Sequence, residues 1–240
     1  MPAPASSAPV SPDPPIPAPA LLAVEHVAHG YGPQQVLHGV SLSVAPGECV
    51  AVTGHNGCGK STLLRLATGS ERPMSGRVLF DGVPVREDHA ATRARISAVL
   101  DSASYYPDLT VREHLMFVAV AHGLGDGAGE AVDEALSSHR LTAGADALPA
   151  ALSSGQAQLL QLAAALLRPH DLLVLDEPEQ RLDTRARAEL AARLRARKED
   201  GAAVLLATHS GGLAEEVADR TLRLESGSPA EGGAGAGEEA

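Results

Sequence analysis

Aromatic residues are almost missing from this chain of 240: three Tyr, two Phe and no Trp make up 2% of it. A core must then be assembled from Ala, Val and Leu, and the stacking platforms that hold single-stranded nucleic acid are nearly absent. Two cysteines are too few for a disulfide framework or a thiolate metal cluster, and point to a reducing compartment. Lysine is scarcer still for a charged type, at Lys60 and Lys198 only. The net charge of −11 leaves no basic footprint, which argues against binding to duplex DNA through counterion release, and no nucleic-acid partner is expected. No run approaches the roughly 18 apolar residues of a membrane-spanning helix; the longest, 115–121, is far too short. The length suits one compact domain with room for a subdomain.

Composition divides the chain in three. Residues 1–20 hold eight of the 17 prolines and lack the positive start and unbroken apolar centre of a signal peptide, so they read as a disordered Pro/Ala-rich arm. Residues 226–240 are Gly/Ala/Glu-rich without periodicity and read as a second disordered tail. The tails' only charges are Asp13, Glu231, Glu238 and Glu239, which leaves the expected folded part, 21–225, at −7. Within it, 22–27, 36–44, 49–53 and 77–80 have the texture of strands, with Asp81-Gly82 as a hairpin turn. A helix is predicted at 60–67. The pattern is helical over 110–138 and irregular over 141–151, which suggests an inserted helical subdomain at about 102–155. Strands return at 172–175 and 203–207, separated by a helix at 184–198 capped by Asp183. Apolar strands alternating with helices predict an α/β fold with a mostly parallel core sheet.

Gly54-His55-Asn56-Gly57-Cys58-Gly59-Lys60-Ser61-Thr62 fits G-x-x-x-x-G-K-[ST], the P-loop, between a predicted strand and a predicted helix. Glycines let successive N–H groups turn inward to phosphate oxygens, and the helix N-terminus adds its positive dipole end. Lys60 supplies a point charge to the β- and γ-phosphates and Ser61 a hydroxyl to Mg²⁺; in a sequence that otherwise uses arginine, a lysine here is informative. A chance glycine turn is the plain alternative. A P-loop by itself does not name a function.

A second motif narrows the field. Leu152-Ser153-Ser154-Gly155-Gln156 precedes an apolar helix and lies about twenty residues ahead of Leu172-Leu173-Val174-Leu175-Asp176-Glu177-Pro178. With this order of motifs the chain resembles the ATPase subunit of ATP-binding cassette (ABC) systems over about 21–225, its signature LSGGQ matched except at Ser154. The resemblance implies a P-loop NTPase fold of the ABC type, with an N-terminal antiparallel β subdomain and an inserted helical subdomain. ATP would lie on residues 54–62, with Tyr31 stacked on adenine. Mg²⁺ would be held by Ser61 and Asp176. Glu177 would be the general base for the attacking water, Lys60 and His209 completing the catalytic set. Ser153, Ser154, Gly155, Gln156 and Asp183 would act in trans on the ATP of a second ATPase subunit, so a monomer should be nearly inactive.

Some positions depart from the family pattern. Asp101 stands where a Mg²⁺-contacting glutamine is usual; it is shorter and adds a negative charge beside the γ-phosphate, which predicts slower or more Mg²⁺-dependent hydrolysis. Glu179-Gln180-Arg181 replaces small residues after Asp176-Glu177-Pro178, and Ala157-Gln158-Leu159-Leu160 is less polar than usual; both are read as ordinary drift. The arginines of 184–198 read as a solvated helix face. The leading expectation is an ATP-hydrolysing subunit that powers a separate membrane permease, docked near 101–106 and the helical subdomain, with the chain peripheral on the cytoplasmic face of the membrane. Tyr106-Pro107-Asp108-Leu109-Thr110-Val111-Arg112-Glu113 and the short helical insert resemble exporters of the ABC-2 type. A weakly hydrolysing regulatory partner in a heterodimer, supported by Asp101, and a soluble non-transport ABC protein are the alternatives.

Overall fold

The structure, a computed structural model, describes residues 20–86, 89–100, 105–209 and 211–225. The expected tails, all but Ala20, and the Asp101 assignment lie outside these residues.

Two sheets organise the chain. Strands β1 (Leu22–Tyr31), β2 (Gln34–Val44), β4 (Ser75–Phe80) and β5 (Val83–Pro84) form an antiparallel sheet in the order β2-β1-β4-β5. Asp81 and Gly82, at φ 52° and 74°, make the β4–β5 turn, both left-handed as a tight hairpin requires. Strands β3 (Cys49–Thr53), β6 (Ile96–Val99), β7 (Leu172–Asp176), β8 (Ala203–Ala207) and β9 (Arg220–Arg223) form the second sheet, wholly parallel, in the order β6-β7-β8-β3-β9. Every residue of β7 and β8 is buried, as strands covered on both faces must be.

The pleat sorts those strand residues into two cores. Leu173, Leu175, Val204 and Leu206 belong to one core with residues of α3 (Val111–Ala121), α4 (Ala128–Ser138), α5 (Ser154–Leu167), α6 (Thr184–Glu199) and α7 (Gly211–Val217). Leu172, Val174, Ala203 and Leu205 belong to the other, with α1 (Lys60–Thr68) and the inner face of the antiparallel sheet. The parallel sheet is thus a middle layer. A short α2 (Ala90–Arg95) leads into β6.

Helix ends follow from sequence. Thr110 and Glu113 form a reciprocal capping box that starts α3, Glu113 N donating to Thr110 Oγ1 at 3.2 Å and Thr110 N to Glu113 Oε2 at 2.8 Å. Asp183 caps α6 by accepting from Ala186 N at 2.7 Å. The region 141–151 is irregular as expected, broken into 3-10 turns at Thr142–Gly144 and Pro149–Ala151. No helix among the described residues is long and apolar enough to cross a membrane.

His139 closes α4 inside the protein, its Nδ1 2.9 Å from Ala135 O. Burial, helped by the Arg193 guanidinium, pushes its imidazole from the ordinary 6.5 down to about 4. The unfolded chain takes up a proton near 6.5 that the folded chain refuses until about 4, so stability is complete above pH 6.5 and is lost as pH falls toward 4. Over that window the loss from His139 amounts to about 3 kcal/mol at most. Urea midpoints at pH 7.5 and pH 5 measure it; His139→Leu should flatten the difference, and an equal slope in that variant would refute the assignment.

Candidate active site

The loop between β3 and α1 is shaped by its glycines. Gly54 and Gly59 stand at φ 147° and 103°, where L side chains are strained. A Cβ on Gly54 would lie 2.5 Å from Leu224 O, and one on Gly59 2.7 Å from Leu37 Cδ2, so neither position has room for one. Gly59 is also the N-cap of α1 and offers no side chain to its first turn, whose N–H groups are thereby left for an external anion. Lys60 is buried and turns back on the loop, its Nζ 2.9 Å from Gly54 O and 3.3 Å from His55 O. His55, Asn56 and Gly57 are exposed, Cys58 and Thr62 buried, and Ser61 half-buried on the first turn of α1. A glycine-permitted cradle, a helix N-terminus and a buried ammonium held by neutral carbonyls together fit a polyphosphate.

The neighbouring strands deliver the remaining groups. Asp176 ends β7 and is buried. Glu177 follows at φ 47°, an uncommon conformation for a non-glycine residue, and its N–H donates to Ala207 O at 2.9 Å. Its carboxylate meets three groups: Lys60 Nζ at 3.9 Å, Gln180 Nε2 at 3.4 Å and, in direct contact, His209 Nδ1. His209 is just over half exposed and follows Thr208, whose N–H is tied to Val52 O at 3.1 Å. Three adjacent parallel strands, β7-β8-β3, therefore bring Glu177, His209 and Lys60 to one point beyond their carboxyl ends. Asp176 and the Ser61 hydroxyl are hard oxygen donors, the type Mg²⁺ takes.

Glu179 was not expected to matter. It is 3% exposed, its Oε1 accepts the Thr208 hydroxyl, and its Oε2 has no hydrogen-bond partner. One ligand atom each from Glu177, Glu179 and His209 lie within 4.8 Å of one another. The only sequence signal was a carboxylate where the family has a small residue.

Tyr31 lies beside the P-loop: its hydroxyl is 3.4 Å from Thr62 Oγ1, donates to Glu71 at 2.8 Å and accepts from Arg65 Nη2 at 3.1 Å. Half of the residue is exposed. The signature residues sit elsewhere. Ser153 caps α5 in a capping box with Gln156, accepting from Gln156 N at 3.3 Å while its own N–H donates to Gln156 Oε1 at 2.9 Å. These residues and Asp183 border a cavity of about 510 Å³, with Arg140 and Arg181 beside it and no P-loop residue in its wall. Asp183 also accepts from Arg140 Nη2 at 3.3 Å; the Ala186 N–H and then Arg140 hold its carboxyl below the usual range. A Cβ on Gly155 would lie 2.9 Å from Arg181 O, and Gln158 Nε2 donates to Pro178 O at 3.2 Å. The signature helix is thereby latched to the loop that follows Glu177.

The family model described as ABC transporter matches residues 37–180. The chain belongs to the ABC transporter family. Among its relatives, the Nod factor export ATP-binding protein I of Paraburkholderia xenovorans is 36% identical over 209 residues, covering 87% of this chain and 69% of that protein. The protein of the same name from Rhizobium etli is 38% identical over 202 residues, 84% and 64% of the two chains. This chain thus spans about two thirds of the length of these relatives. The glutamine transport ATP-binding protein GlnQ of Escherichia coli is 33% identical and is covered over 91% of its length. A solved structure, described as that of the ATP-binding subunit of an ABC transporter, superposes with a TM-score of 0.78 at 32% identity, over 85% of each chain. As a member of this family the chain is an ATP-binding, ATP-hydrolysing transporter subunit with an ABC-type α/β fold.

Proposed function

We propose that two copies of this chain close head to tail around two ATPs, and that closure powers a separate permease. The observation that carries this reading is the division of the site. Lys60, Glu177 and His209 converge at one place, while Ser153, Ser154, Gly155 and Gln156 open on a cavity the P-loop does not reach. One chain then holds two halves of two different sites, and a second copy completes each.

ATP supplies the phosphoanhydride whose cleavage drives the cycle. Tyr31 offers a ring face to the adenine. The N–H groups of residues 54–62 and the Lys60 ammonium hold the phosphates, and Ser61 and Asp176, with Asp101, hold Mg²⁺. The Glu177 carboxylate orients the attacking water and accepts its proton, and His209 steadies that carboxylate through its Nδ1. From the second copy, Ser153 keeps its hydroxyl proton for donation, since the capping box uses the oxygen as acceptor. The N-terminus of α5 adds its dipole, and closure excludes water. The helical subdomain of this reading runs from about 102 to 155.

The permease would dock on a groove of about 440 Å³ between β6 and the helices, lined by Tyr105, Tyr106, Phe117 and Ala164. Tyr106 and Phe117 meet edge to face at 4.9 Å and leave about half their surface exposed, unusual in a chain with five aromatics. Export is favoured by the export relatives at 36–38% identity, above the glutamine transport protein at 33%. Such a subunit works from the cytoplasm, on the inner face of the membrane. The permease, not this chain, selects the solute.

Co-expression with a candidate permease, a membrane protein of the kind this family pairs with, tests the assembly. The wild type should co-purify with the membrane fraction, and Phe117→Asp should lose most of that association while the isolated chain keeps its ATP turnover. Equal association of both chains would sink this docking site. Solute accumulation inside inverted vesicles would support export, and its reverse would refute it.

A further inference from the structure

We propose that Glu177, Glu179 and His209 form a binding site for a borderline divalent cation of the Zn²⁺ type, separate from the Mg²⁺ position, and that filling it stops hydrolysis. Two carboxylates and an imidazole, with one ligand atom each inside a 4.8 Å span, match the mixed nitrogen and oxygen donor sets that Zn²⁺ takes at about 2.0–2.2 Å. Mg²⁺ prefers six oxygens and keeps its water, so an imidazole-bearing set discriminates against it.

The second observation is the state of Glu179. A carboxylate 97% buried is costly unless its oxygens are satisfied; here Thr208 satisfies Oε1, and Oε2 has no hydrogen-bond partner. A cation held between the three side chains would give this buried carboxylate a counter-charge and a partner beyond Thr208. The Thr208 hydroxyl then fixes the orientation of a ligating carboxylate, the usual service of a group behind a metal ligand. Entry is from the side of His209, just over half exposed, which also leaves a coordination position for water. The other facing cation is Lys60, 3.9 Å from Glu177 Oε1, while His209 meets Oε2. Both oxygens of Glu177 thus have distinct neighbours, and a cation on the Oε2 side need not displace the ammonium. Glu179 is not among the residues expected to hold Mg²⁺.

The inhibitory consequence rests on the proposed roles of Glu177 and His209; the binding itself does not. A Glu177 carboxylate bound to a cation cannot take a proton from water, and a ligated His209 cannot move. The P-loop is untouched, so ATP still binds.

The test titrates nucleotide-free full-length chain with Zn²⁺ by calorimetry, and with Co²⁺ by its visible absorption. One saturable Zn²⁺ per chain is expected, weakened about tenfold or more by Glu179→Gln and equally by His209→Ala. His209 is exposed, so its variant reports on the site even if the buried Glu179→Gln unfolds. The site is overturned if the wild type shows no saturable binding, or if His209→Ala binds as tightly as the wild type. ATP turnover measured with and without Zn²⁺ then separates the two halves of the proposal: binding without inhibition overturns the regulatory half alone. An error in the catalytic reading would appear instead as turnover that survives Glu177→Gln without any Zn²⁺.

Discussion

Glu177→Gln should lower steady-state ATP turnover by about 10²–10⁴-fold while leaving ATP affinity within a few-fold of the wild type. Glutamine keeps the shape of the side chain and an oxygen that can still meet Gln180 and His209, but it cannot accept a proton. In the proposed site the phosphate contacts come from a different strand end, β3, through Lys60 and the loop glycines, so binding should survive. Loss of the carboxylate also removes the charge 3.9 Å from Lys60 Nζ, which frees the ammonium for phosphate and works against any fall in affinity. A coupled assay of phosphate release and equilibrium binding of a fluorescent ATP analogue measure the two quantities. Turnover within threefold of the wild type would move the base to another residue, and Glu179 is a further carboxylate close by. Melting temperature serves as the control, since Gln tolerates the φ of 47° no worse than Glu.

What could be read in advance follows from where the determinants lie. The P-loop was legible because its function resides in the backbone, and a backbone that needs φ of 147° and 103° announces itself as glycine at fixed spacing. β3 and β8 were legible to the residue, being apolar runs bounded by turns. β6 was not, because Ile96-Ser97-Ala98-Val99 lacks a strong pattern; Ser97 is buried there only because its hydroxyl donates to Ala165 O at 2.8 Å on a helix remote in sequence. β9, Arg-Thr-Leu-Arg, is an edge strand with one buried residue, which composition alone describes as a loop. α7, seven residues long, escaped because it follows His209 with two glycines at its start. Glu179 shows the deeper limit: as a sequence letter it was a departure from a small residue, and only Thr208, 29 residues further on, holds it as a buried carboxylate beside Glu177 and His209. Pairings across the sheet are tertiary information.

The same division between local and distant determinants gives the second large effect. Lys60→Ala and Gly155→Asp should each be inactive alone, yet an equal mixture of the two chains should recover about a quarter of the intact sites of the wild type, because random pairing makes half the dimers mixed and each mixed dimer holds one complete site. In the proposed dimer Lys60 would act on the ATP of its own chain and Gly155 on the other one, from an α5 N-terminus whose cavity has no P-loop residue in its wall. In the mixed dimer one site lacks both groups and the other has both. Each single defect removes charge stabilisation worth about 10²–10³ in rate, so the background is low enough to see recovery. Asp at 155 is the harsher choice for a reason visible in the fold: its Cβ falls 2.9 Å from Arg181 O and its charge faces the incoming phosphate. That contact, with the Gln158 to Pro178 hydrogen bond, ties the signature helix to the loop after Glu177. In the proposed dimer this tie would link a partner's nucleotide on α5 to the position of Glu177. Recovery that exceeds the summed activities of the two variants establishes sharing across copies. No recovery, with mixed dimers demonstrated by crosslinking, would mean either that each chain completes its own site or that both sites must be intact to fire. Wild type mixed equally with the Lys60→Ala chain separates those outcomes: about half of the wild-type activity is expected if one intact site can fire, and about a quarter if both must be intact.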